Sequence, residues 1–86
     1  MSDGSRYQIL DDLKAAYKRL IPLACDADMA YEYSSYGIEE FLRPLRDCVA
    51  QVRGYIQTAK DTGLGRSNTV RRAERELTHV SQIIIV

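Results

Sequence analysis

Residues 62–77 read TGLGRSNTVRRAEREL, and they hold the densest set of groups in the chain that could grip an anion. Gly63 and Gly65 permit backbone conformations that expose amides. Ser67, Asn68 and Thr69 add polar donors, and Arg66, Arg71 and Arg75 supply positive charge. A helix starting just after the glycines would turn its positive end toward a phosphate, a nucleotide or a partner's carboxylate. The stretch is not a Walker loop, because no lysine is followed by Ser or Thr at the required place, and it is not GxGxxG after a strand. A simpler reading has Gly63 ending one helix while Ser67 or Asn68 caps the next. Capping is the expectation, and anion binding by Gly63, Gly65, Arg66, Ser67, Asn68, Thr69, Arg71 and Arg75 is the alternative.

A second cluster is YEYSSY, which sets Tyr31, Tyr33 and Tyr36 around a turn. Tyrosine offers a large contact area with a polar tip, the combination that protein interfaces favour. Tyr31 falls on an apolar stripe and is expected in the core. Tyr33 and Tyr36 fall off it. With Glu32, Glu39 and Glu40 they form the expected partner-binding patch, and Asp28 lies close by in sequence.

Catalytic chemistry is harder to assemble. His79 is the single histidine, and Cys25 and Cys48 lack the paired spacing of a metal site. Asp11 with Asp12, and Glu39 with Glu40, are neighbours in helical stretches, so each pair diverges instead of sharing a site. Asp26 and Asp28 read as caps before a helix start. The chain is therefore expected to be no enzyme, with no cofactor and no metal.

The phrase GRSNTVRRAEREL resembles the recognition-helix region of some winged-helix repressors. For a helix-turn-helix, Ala59, Gly63 and Leu64 fit the pattern. Thr69 stands where a buried β-branched apolar residue belongs, with Val70 one place late, and Thr58 and Thr62 occupy apolar positions. The resemblance implies a DNA-binding regulator, but the segment's small net positive charge is a thin footprint for phosphate contacts.

The elements that must carry these residues are helices. The apolar series Leu10, Leu13, Tyr17, Leu20, Ala24, Ala27, Tyr31 advances in steps of three and four, so the first helix either bends or is split at Pro22. Beyond SSYG the series Ile38, Phe41, Leu45, Cys48, Val52, Tyr55, Ala59 resumes. Leu42, Val49 and Ile56 widen it into a face for two neighbours. Pro44 should kink this helix or mark its start. Val70, Ala73, Leu77, Val80 and Ile84 make the last stripe, before a run of four β-branched residues, IIIV. The pattern predicts one all-α domain over residues 1–86. It is a three-helix antiparallel bundle with helices near 6–33, 38–62 and 68–84, the first two long and proline-interrupted. Regular heptad-like spacing in so short a chain also predicts a homo-oligomer.

With 12 Lys and Arg against 12 Asp and Glu, no global field steers the chain onto nucleic acid or anionic membrane. The distribution is uneven. Residues 1–41 carry four basic and eight acidic residues, and residues 42–86 carry eight and four. No secretory leader or spanning segment is legible, and both cysteines read as reduced, buried thiols, so a cytoplasmic location with no membrane contact is expected. The functional expectation is a small helical interaction protein that is an adaptor, regulator or inhibitor of a larger protein. By size and fold class, inhibitors encoded by phages and mobile elements are analogous. The alternatives are an oligomer that sequesters a phosphate-bearing ligand or nucleotide at residues 63–69, and the DNA-binding regulator.

Overall fold

The computed structural model describes residues 2–33 and 38–84, with side chains described from Tyr7 to Glu32 and from Glu39 to Ile84. The fold is all-α, with four helical segments: α1 (Ser2–Tyr17), α2 (Leu20–Tyr33), α3 (Ile38–Asp61) and α4 (Asn68–Ile83). No strand occurs among the described residues. None of the described helices is long and apolar enough to cross a membrane.

The first apolar stripe is divided between two segments. Lys18 and Arg19 form a turn, with the Arg19 amide bonded to the Ala16 carbonyl at 3.2 Å in a tightened last turn. Pro22 explains the position of the break. It has no amide to give the Lys18 carbonyl, and its ring crowds that carbonyl, so the helix yields one turn ahead of it. Pro22 itself then sits in the first turn of α2, where a missing amide costs least. Asp26 and Asp28, read above as caps, lie inside α2. Pro44 lies inside α3, so it does not mark that helix's start.

The joint between α3 and α4 is built from caps. Gly63 has φ +84°, the left-handed conformation that glycine adopts without strain. Its amide bonds the Lys60 carbonyl at 3.1 Å, and the Leu64 amide reaches back to the Ala59 carbonyl at 2.7 Å. Those two bonds are a Schellman motif, and Leu64 completes it by packing on the core. Ser67 then accepts the Val70 amide at 3.2 Å and opens α4. Gly63 thus ends α3 and Ser67 starts α4.

The core is one line of apolar residues running the length of the molecule. Leu13, Leu20, Leu45, Val52, Val70 and Val80 are its largest fully buried members. Ala16, Ala24, Ala27, Ala59 and Ala73 are buried among them and let helix backbones approach closely. The wide face of α3 meets both α1–α2 and α4. The molecule measures 50 × 19 × 16 Å, with a radius of gyration of 14.3 Å. A compact chain of this length would have about 12 Å. It is a rod one core layer thick, so each helix keeps an exposed flank.

Candidate functional site

Two of the concave surfaces along this rod gather residues singled out in the sequence. At one end the last turns of α2, the first turns of α3 and the last turn of α4 enclose a groove of about 420 Å³. Tyr31, Leu42, Ile83 and Ile84 provide its apolar wall, and among the described residues Asp28 is the one charged residue lining it. Tyr31 corrects the expectation drawn from its spacing. Leu20, Ala24 and Ala27 are fully buried on the same stripe, yet Tyr31 is 72% exposed. On α3, Leu45 and Cys48 are buried while Phe41, the preceding member of their stripe, is 43% exposed. Both stripes run past the end of the core and present aromatic rings to solvent.

Of the predicted partner-binding residues, Glu32, Glu39 and Glu40 are exposed at this same end. Glu39 is engaged with Arg46 at 3.2 Å. Tyr36 and the side chain of Tyr33 lie outside the described residues. The apolar residues that form the groove were absent from the sequence-based patch. Tyr31 and Leu42 fall on stripes that read as core, and Ile83 and Ile84 belong to the β-branched run at residues 83–86.

Farther along the rod, the end of α1 and the first half of α4 flank a second cleft, also about 420 Å³. Lys14 and Tyr17 of α1 face Asn68, Thr69, Arg71 and Arg75 of α4. The cleft thus gathers four of the predicted anion-binding residues. It leaves Gly63 and Gly65 in the turn and Ser67 committed to its cap, and Arg66 is exposed outside the lining. Arg72 also lines the cleft, but its Nε is held by Glu76 at 3.0 Å. Glu74 lies 4.0 Å from Lys60 across the α3–α4 joint. Among the described residues no carboxylate lies within ion-pair distance of Lys14, Arg71 or Arg75. Lys14 and Tyr17 were missed because Tyr17 reads as core and Lys14 as an ordinary solvated charge.

The two thiols differ. Cys25 is exposed, contrary to expectation, whereas Cys48 is buried and donates to the Ala16 carbonyl at 3.3 Å. Burial pushes the Cys48 thiol up, and the positive charge of Arg19 opposes part of that effect. No cluster of three or more metal-binding side chains occurs among the described residues. No side-chain nitrogen or oxygen is buried there without a partner.

The segment resembling a recognition helix forms the second arm of the α3–α4 joint. Residues 62–67 link the two helices, and Leu77, Val80 and Ser81 of α4 share a groove with Arg46, Val49, Ala50 and Arg53 of α3. Comparison with protein-family models, curated proteins and solved structures found no match to the chain.

Proposed function

We propose that the chain is a small, non-enzymatic helical interaction protein that regulates or links a larger protein. In this reading its groove at the α2–α3–α4 end takes up an apolar helical segment flanked by basic residues. The observation that carries it is Tyr31, exposed at the end of a stripe whose three preceding members, Leu20, Ala24 and Ala27, are fully buried. An apolar groove of this size is a natural seat for two or three side chains from one face of a partner helix. The charge around it favours a basic partner, because Asp28 lines the groove and Glu32 and Glu40 are exposed at the same end. Several relationships along the rod support an antiparallel, up-down-up reading of the bundle. Asp12 and Arg19 share a pocket with Tyr55, Tyr31 shares one with Leu42, and Lys60 reaches Glu74.

A fluorescent helical peptide with leucines spaced three and four apart and lysines elsewhere tests this, read by anisotropy. The parent should bind it, a glutamate-for-lysine version should not, and Tyr31→Asp should weaken binding at least tenfold. If the parent instead dimerises in sedimentation equilibrium and Tyr31→Asp makes it monomeric, the groove belongs to a second copy and this reading fails.

A further inference from the structure

We propose that the cleft between the end of α1 and the start of α4 binds a nucleotide, held chiefly by its phosphates. This site is separate from the apolar groove and stands on different observations. Lys14 comes from one helix and Arg71 and Arg75 from another, yet all three line one concavity. Like charges drawn together repel, and no described carboxylate is within ion-pair distance of any of them. Among the described residues, the one acid that pairs with a lining residue, Glu76, is taken by Arg72. The chain as a whole is neutral, and Lys14 joins the cleft from its acidic half while Arg71 and Arg75 come from its basic half.

The helix end adds donors of the right kind. Ser67 satisfies the Val70 amide, while the first amides of α4, at Asn68 and Thr69, have no carbonyl inside the helix. Asn68 and Thr69 line the cleft, where an anion would also be favoured by the positive end of α4. At about 420 Å³ the cleft lies within the usual range for small-molecule sites, roughly 300–1,000 Å³. It can therefore hold more than a lone phosphate. Tyr17, half-buried in the wall beside Lys14, supplies a ring on which a nucleobase can stack. Three cations and one aromatic ring in a single hollow suit one compact polyphosphate.

Thermal shift and calorimetry on the full chain, with ADP, GDP, CDP and UDP as probes, test the proposal. At least one diphosphate is expected to raise the melting temperature and bind one per chain, while its nucleoside leaves the protein unchanged. Arg75→Gln should weaken that binding about tenfold, the loss expected for one charge-assisted contact. Lys14→Gln, on the opposite wall, should do the same, so a folding defect in one variant leaves the other decisive. Tyr31→Asp should have no effect, which separates this site from the groove. The proposal is overturned if none of the four diphosphates binds at millimolar concentration. It is equally overturned if inorganic phosphate or the nucleoside alone binds as tightly. Binding only to a single-stranded oligonucleotide, lost steeply with salt, would transfer the cleft to nucleic acid and also sink it.

Discussion

The thiol of Cys48 on α3 donates a hydrogen bond to the carbonyl of Ala16 on α1, 3.3 Å away. That carbonyl sits where α1 ends, and it also accepts the Arg19 amide at 3.2 Å. The interruption ahead of Pro22 thus takes place against a buried side chain of the central helix. A helix end inside the core leaves carbonyls in need of partners, and Cys48 supplies one without bringing a charged or strongly polar atom into the core.

This contact has a pH consequence. Burial raises the Cys48 thiol in the folded chain, while the unfolded thiol titrates near ~8.5. The folded state therefore holds its proton at pH values where the unfolded state has released it. The resulting stability is fully present below the unfolded value and is lost as pH climbs through ~8.5 toward the raised folded value. Its slope cannot exceed about 1.4 kcal/mol per pH unit. Urea denaturation at pH 7 and pH 9.5 should show a larger drop for the parent than for Cys48→Ala, and equal drops would refute the assignment.

The two thiols should also react at different rates. Cys25 is exposed and Cys48 buried and protonated, and the reactive species is the thiolate. Brief treatment of the native protein with iodoacetamide at pH 8 is expected to give a single adduct, mapped to Cys25 by peptide mass spectrometry. Equal labelling of both would mean that the α1–α3 contact opens readily.

The joint between α3 and α4 gives a pair of stability predictions. A Cβ at Gly63 would meet nothing within 4 Å, so Gly63→Ala is charged only with its positive φ. That costs about 1–2 kcal/mol. Ser67→Ala removes the cap on the Val70 amide and should cost about 1 kcal/mol. Both are read from chemical denaturation midpoints, and a Gly63→Ala variant as stable as the parent would contradict the left-handed turn.

The open groove predicts a contrast between neighbours on equivalent stripes. Tyr31→Ser should change stability by no more than about 0.5 kcal/mol, as exposed positions do. Leu20→Ala, three turns earlier on the same stripe and fully buried, should cost about 2–5 kcal/mol. If Tyr31→Ser proves as damaging as Leu20→Ala, Tyr31 belongs to the core after all.

Periodicity made the helical class and the core positions readable, because each element's own residues determine which flank is apolar. Val52, Val70 and Ala73 fall on their predicted stripes and are fully buried. The Gly63 stop and the Ser67 start were likewise legible, since both act through backbone groups within a few residues. Periodicity gives an angle around a helix and says nothing of where the neighbouring helix ends. Tyr31 has the right angle and the wrong height, so it lies at the mouth of a groove instead of under a neighbour. The basic cleft was half legible for a related reason. Asn68, Thr69, Arg71 and Arg75 are local to one segment, whereas Lys14 and Tyr17 lie more than fifty residues away in the chain. Only the packing of α1 beside α4 brings them to the same hollow. What the sequence by itself determined was local: helix, cap and buried stripe, each governed by neighbours three or four residues apart. What only the tertiary structure decided was which exposed groups from distant segments share a surface, because that depends on the ends and relative heights of packed helices.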